Sequence, residues 1–237
     1  MGAGHGGETS EAEEVALASR VLDHCGLGDL VWGHVSCRDR AGRGAWLKAS
    51  GFGLEEIDSG RVVLVDGRGK RLLPRAGGVH LEYRIHTFLL DARADINAVV
   101  HCHPAYAIAF AATGEALVPM SHEGALFSPP DVARFEVTGD LIHTDELGRA
   151  LVECIGSRNA ALMPKHGIVT VGPDVATAVM SAVLLERACR LQLLAQGGGG
   201  VAVWSSPEEA LAKRDRCWAP SQIQAGYDYL ARQVTPG

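Results

Sequence analysis

At 237 residues and 25.0 kDa, the chain suits one large domain with a short tail and is long enough to bury a sizeable core. Its 47% hydrophobic and 21% charged residues exclude a disordered or fibrous chain. A formal charge of -6 and no Lys/Arg block interleaved with aromatics exclude a nucleic-acid partner. Six cysteines without a CxxC pair predict reduced thiols. The first fifteen residues hold no basic segment followed by an apolar stretch, and no later run reaches about 18 apolar residues. The expectation is a cytoplasmic chain with no membrane partner.

Residues 1–9 are Gly-rich and read as a loose segment. Ser10 and Glu13 then form a capping box ahead of Val15, Ala18, Val21, Leu22 and Cys25 at helical spacing, with Gly26 as the stop. Short β-like runs follow: "LVWGHVSCRD", "AWLKAS" and "RVVLVD", the last joined through "GRGK" to "RLLP" as a hairpin or meander. "HLEYRIHTFLLDA" predicts a helix with Leu81, Ile85, Phe88 and Leu89 on one face and Glu82 and His86 side by side on another.

"NAVVHCHPAYA" reads as a strand, in which Val99, His101 and His103 face one way while Val100 and Cys102 face the other. Then come "AYAIAFAATG" as a short helix, "LVPMSH" as a strand, "TDELGRALVECIG" as a helix and "AALMPKHGIVTVG" as paired strands. "PDVATAVMSAVLLERACRLQLLAQ" is a long helix, "GGGG" at 197–200 a linker, and the tail to residue 237 an arm of one or two helices that docks on its own domain or on a neighbour. The alternation of strands and helices points to an α/β domain over 10–196 with a central sheet, and to an arm over 197–237.

Two imidazoles converging at a strand end suit a metal, and they also suit a solvated edge. His166 stands at a turn before Gly167, which lets the backbone bend. Glu82, at the start of a helix leading into the histidine strand, favours the helix dipole, or serves as a metal ligand or an acid/base.

Together these residues carry a resemblance. "GHVSCR", "KASGFG", "LEYRIH", "RADINAVVHCHPAYAIAFA" and "LMPKHGIVTVGPDVATAV" are similar to the class II aldolase/adducin family over about residues 11–196. The resemblance implies a single α/β/α domain with a central, largely antiparallel sheet, assembled into a homotetramer with active sites between subunits. It implies that His101, His103 and His166 bind a divalent metal (zinc, manganese, iron or cobalt) with Glu82 near or on it. In the family's sugar-phosphate aldolases a glutamate moves the proton while glycine, serine, threonine and asparagine residues cradle a phosphate.

This chain departs from that pattern. His34 replaces the asparagine of "GNVS", and Val79, His80 and Leu81 precede Glu82 where those aldolases carry two serines, so that Ser50 and Gly51 are what remains of a cradle and His34 stands with them as a substrate-binding candidate. His122 and Glu123 stand where the aldolases have a catalytic tyrosine, and "SHEGALF" resembles the decarboxylase branch. The expected function is therefore a metal-dependent carbon–carbon lyase, a decarboxylase of a hydroxylated aromatic or heteroaromatic acid. Glu82, His122 and Glu123 are its candidate acid/base groups. Arg38, Arg75 and Lys165 are candidates to pair with a substrate carboxylate, Trp32, Phe52 and Phe127 to wall a ring, and Trp218, Tyr227 and Tyr229 to close a neighbouring site. The alternatives are an aldolase or epimerase, an iron-dependent oxygenase and a non-catalytic adducin-like module.

Overall fold

The protein is described from a computed structural model over residues 10–235. The segment expected to be loose, residues 1–9, lies outside the described residues. Helix α1 spans Glu11–His24, and its capping box forms as the sequence predicts: Ser10 N–H donates to Glu13 Oε2 at 2.8 Å and Glu13 N–H to Ser10 Oγ at 3.3 Å. Val15, Ala18, Val21 and Leu22 form its buried stripe.

Seven strands follow, β1 His34–Arg38, β2 Ala45–Lys48, β3 Val62–Val65, β4 Ala98–Cys102, β5 Ala133–Arg134, β6 Ala160–Met163 and β7 Gly167–Gly172. They form one sheet in the order β3-β2-β1-β4-β7-β6-β5, antiparallel except between β5 and β6. Alternation along β4 sends Val99 to one core and Ala98, Val100 and Cys102 to the other. On the Val100 side lie α1, α3 (Ala105–Thr113), α6 (Val175–Gly197) and α8 (Pro220–Val234); on the Val99 side lie α2 (Tyr83–Ala92) and α5 (Asp145–Ile155). The result is the expected α/β/α arrangement around a largely antiparallel sheet. Because both faces are covered, "VVLV" of β3 is buried at every residue instead of alternating with polar ones.

Three local expectations need correction. "LVPMSH" is not a strand: the Val118 N–H goes to Gln192 Oε1 and the Pro119 carbonyl accepts from Ser205 N–H, so the long helix and the tail take the groups a sheet neighbour would need. Ser121 instead caps a short helix, α4 (His122–Phe127), by accepting Gly124 N–H at 3.1 Å. "RLLP" turns back on β3 as expected but forms no strand of its own: it makes one antiparallel bridge, Val65 to Arg71, with Leu72 N–H donating to the Leu64 carbonyl, around a turn in which Asp66 Oδ1 accepts from Arg68 and Lys70 N–H. Helix α2 begins at Tyr83, not at the "HLE" before it. Leu81 is therefore 70% exposed, and Glu82 sits at the N-cap with its side chain turned away from the helix end.

The tail forms two helices, α7 (Pro207–Cys217) and α8, and docks on its own domain. Ile223 and Tyr227 join the core between α1 and α6, while α7 lies on α4, where Arg214 donates to the Ala125 and Pro129 carbonyls. All six cysteines are free thiols, and no helix among the described residues is long and apolar enough to cross a membrane.

Candidate metal centre

The register between β1 and β4 sets His34 opposite His101, and β7 covers the far side of β4 with Val169 opposite His101. Pro104 ends the strand, so His103 lies just beyond it, and the β6–β7 turn carries His166 to the same end of the sheet. Glu82 enters from the N-cap of α2. The four side chains offer ligand atoms that all lie within 4.8 Å of one another.

Hydrogen bonding dictates what those atoms present. His101 Nδ1 lies 2.9 Å from the Ile168 carbonyl, which can only accept, so Nδ1 carries the proton and Nε2 is a bare lone pair. His103 Nδ1 lies 2.9 Å from Asp29 Oδ2, and the same logic leaves its Nε2 bare. The two Nε2 atoms stand 3.1 Å apart. With neutral rings this is a contact of two lone pairs, and only a cation or an added proton makes it favourable. Among the described residues both ring nitrogens of His166 are buried without a hydrogen-bond partner, an arrangement that costs about 1–3 kcal/mol per atom unless a ligand is found. Glu82 Oε1 accepts Ile142 N–H at 2.8 Å and lies 3.5 Å from His166 Nε2, while Oε2 lies 3.6 Å from His101 Nε2. Three imidazoles and one carboxylate, with their ligand atoms turned towards one point, fit a divalent transition ion. Asp29 and the Ile168 carbonyl orient the imidazoles, as outer-shell partners of metal-bound histidines do.

Burial pushes the Glu82 carboxyl up, but the adjoining His101 and His166 imidazoles, through hydrogen bonding first and charge second, override this and hold it well below the usual carboxylate range. Burial, assisted by the His101 charge and opposed by Asp29, pushes His103 down to about 4. Burial is also the main cause holding His34 and His86 well below the ordinary imidazole range, and it brings His80 down to about 3. These four imidazoles, His34, His80, His86 and His103, are neutral near pH 7.

Glu82, His103 and His166 form the floor of a cavity of about 520 Å³, with His101 fully buried behind them, and its walls include Val31, Trp32, Val79, Leu81 and Leu141. Lys48 is fully buried beneath one wall and donates to the Val31 carbonyl at 2.8 Å, burial bringing its amine down to about 8. Lys165 stands at the mouth, exposed and with no ion pair among the described residues.

Residues 13–193 match the family described as Class II Aldolase and Adducin N-terminal domain. The chain belongs to that family. A 3,4-dihydroxyphthalate decarboxylase of Arthrobacter keyseri is 30% identical over 217 residues, 85% of this chain and 84% of the relative. A 5-methylthioribulose-1-phosphate/5-deoxyribulose-1-phosphate aldolase of Rhodospirillum rubrum is 28% identical over 172 residues, 72% of this chain and 74% of the relative. Among solved structures, an aldolase II superfamily protein of Pseudomonas syringae superposes with a TM-score of 0.84 at 27% identity, covering 94% of this chain and 91% of that one.

Within this class II aldolase-family chain, His34, Ser50, Gly51 and His80 line the cavity beside the metal-ligand candidates. The Ser50 N–H and carbonyl pair with Gly78, so that backbone amide is already engaged and gives nothing to a phosphate. Arg38 must be reassigned. It lies at the opposite end of β1 from His34, and its guanidinium donates to the carbonyls of Leu90, Arg93 and Ile96 and to Asn97 Oδ1. Arg75 is likewise engaged with the Ser59 carbonyl and the Trp46 ring. Phe52 and Phe127 pack in the core and do not wall the cavity.

His122 and Glu123 do not line the cavity of their own chain: they lie on α4, where the His122 carbonyl accepts the Trp218 indole N–H and its Nδ1 meets Cys217 Sγ at 3.5 Å. Tyr227 is spent on the chain's own core, while Tyr229 is 56% exposed on α8 and outside the cavity. The sequence reading did not single out Asp29, Ser36 and the role of His86. Asp29 lies in an irregular loop with no spacing signal. His34 and Ser36 do share a strand face by their i, i+2 spacing, but only the fold shows that His86 meets that face.

Proposed function

We propose that this protein is a metal-dependent carbon–carbon lyase that removes carbon dioxide from a hydroxylated aromatic or heteroaromatic carboxylic acid. The observation that carries this reading is the cavity: Glu82, His103 and His166 on its floor with His101 buried behind them, a cluster able to hold a metal, under apolar walls, and Lys165 at its mouth with no ion pair among the described residues. A flat ring fits between such walls, a hydroxyl and the adjacent carboxylate reach the floor, and Lys165 pairs with a second carboxylate. A sugar phosphate would want a cradle of free amides and hydroxyls, and Ser50 and Gly51 alone of the expected set line the cavity.

His101, His103 and His166 would hold the divalent ion, with Glu82 beside it. When bound there, the ion supplies Lewis acidity that steadies the electron pair left on carbon when carbon dioxide departs. Glu82, fixed at Oε1 by Ile142 N–H, keeps Oε2 free to move a proton. It takes the proton of the substrate hydroxyl. The bond from ring carbon to carboxylate then breaks, carbon dioxide leaves, and Glu82 returns that proton to the ring carbon. His122 and Glu123 stay candidates for a site on a neighbouring subunit of a homotetramer, which exposed Leu30, Trp32 and Leu81 around the cavity support. We place the enzyme in the cytoplasm, where its six free thiols remain reduced.

The test begins with elemental analysis of the purified protein for zinc, manganese, iron and cobalt, beside His101→Ala and His166→Ala. Carbon dioxide release is then followed with a panel of ortho-hydroxy aromatic carboxylates. Wild type is expected to carry near-stoichiometric metal and to turn over at least one acid, and both variants to lose metal and turnover together. Aldehyde release from sugar phosphates or hydroxy-ketones, with no acid turned over, replaces this reading with an aldolase. Oxygen consumption by the ferrous protein replaces it with an oxygenase.

A further inference from the structure

Behind the metal-ligand cluster lies a chain of polar side chains that the mechanism above does not use. His34 Nδ1 is 2.6 Å from His86 Nε2, and His86 Nδ1 is 2.7 Å from Ser36 Oγ. Ser36 and His86 are fully buried and His34 is 2% exposed. His34 alone of the three lines the cavity, and its ring lies 5.0 Å from that of His101 and 4.3 Å from that of His80, centroid to centroid.

The direction of this chain follows from counting hydrogens. Ser36 Oγ has His86 Nδ1 as its one side-chain partner among the described residues. If His86 donated to it, the buried hydroxyl hydrogen would be left without an acceptor, a cost native structures avoid. Ser36 therefore donates to His86 Nδ1. In a neutral ring the His86 proton then sits on Nε2 and is donated to His34 Nδ1, and the His34 proton is left on Nε2. That nitrogen has no protein partner among the described residues. The wall next to the cluster thus carries an N–H, opposite in polarity to the bare lone pairs of His101 and His103.

We propose that His34 is a substrate-contacting hydrogen-bond donor, its Nε2–H aimed at the oxygen on which negative charge gathers, and that His86 and Ser36 are positioning residues that hold it in that tautomer. A donor fixed before substrate arrives needs no reorganisation when charge develops, which is why such groups favour the charged transition state over the neutral ground state. The two rings flanking His34, His80 and His86, restrict its plane. The inference rests on the proposed lyase reading only in requiring an anionic substrate oxygen beside the cluster. An aldolase's enolate would meet that requirement as well.

The experiment is nitrogen-15 NMR of histidine-labelled full-length protein, metal-free and zinc-loaded, with salicylate as the probe. His34→Gln and Ser36→Ala serve to assign the signals and to test the chain. The expected result is a His34 ring protonated at Nε2 in both forms, with a proton resonance that moves on adding salicylate to the zinc protein. Ser36→Ala should mix the His86 and His34 tautomers and weaken salicylate binding about fivefold. Ser36→Thr, which keeps the hydroxyl, should restore both. His34→Gln keeps an N–H and should bind within about twofold of wild type, and His34→Leu about tenfold more weakly. A wild-type His34 protonated at Nδ1 overturns the proposal, as does an Nε2–H that ignores salicylate, or zinc protein that does not bind it. The Ser36 pair carries the test if His34→Leu does not fold. Absence of carbon dioxide release from the acid panel, with these signals as expected, would remove the decarboxylase reading and leave His34 in its role.

Discussion

Lys165 adopts φ of +68°, a left-handed conformation that costs a lysine about 1 kcal/mol. It follows Pro164 in a turn closed by His166 N–H donating to the Met163 carbonyl, a position that glycine or asparagine fills with less strain. Strain kept at a cavity mouth points to a side chain selected for its charge. Lys165→Asn is expected to raise the unfolding free energy in urea by about 0.5–1 kcal/mol while raising KM for a dicarboxylate about tenfold with metal content unchanged. An unchanged KM would remove Lys165 from substrate binding. The buried imidazoles set a second expectation. His34 and His86 lie well below their ordinary range and His80 is at about 3, whereas the unfolded chain titrates near 6.5. Below about pH 6.5 the unfolded state therefore binds more protons than the folded one, so stability falls as pH falls through that window towards about 3. Each such histidine adds a slope of about 1.4 kcal/mol per pH unit. Metal-free protein should lose stability steeply between pH 6.5 and 5, and a flat profile of urea midpoints would contradict the buried neutral histidines.

Arg38 shows what an element needs that its own sequence lacks. Helix α2 ends without a glycine cap, and the Arg38 guanidinium from β1 satisfies the carbonyls of Leu90, Arg93 and Ile96 instead. In the same way Glu186 of α6 accepts the Tyr106 and Ala107 N–H groups at the uncapped start of α3. Arg38→Ala is expected to cost about 2 kcal/mol of stability and to leave kcat and metal content as they were, read by urea unfolding and steady-state turnover. A collapse of kcat with normal stability would return Arg38 to the substrate. Helix α1 was legible because its cap and stripe are local. The six residues "LVPMSH" were not, since the backbone partners of Val118 and Pro119 come from Gln192 and Ser205, more than seventy residues away.

For the molecule as a whole, the arm after the glycine run is part of the fold rather than an appendage. Tyr227 is 8% exposed in the core shared with α1 and α6, whereas Tyr229, two residues on, is 56% exposed. Tyr227→Ala is expected to cost about 3 kcal/mol and to lower Tm by roughly 6–12 °C in a thermal melt, with Tyr229→Ala within about a degree of wild type. Equal melting of the two variants would mean that α8 does not hold the domain together.

The amino-acid pattern alone determined the class of fold, the helix and strand runs with strong periodicity, and the quartet Glu82, His101, His103 and His166. The runs are carried by local spacing, whereas the quartet, spread over more than eighty residues, was legible through the chain's resemblance to the class II aldolase/adducin family. Only the tertiary structure decided which ring nitrogens are bare, because that depends on Asp29, Ile168 and Ser36 meeting the rings from distant elements. It also took Arg38 away from the site and brought His86 to it, since a strand end and a helix face have no address in sequence until the register between β1 and β4 and the packing of α2 are set.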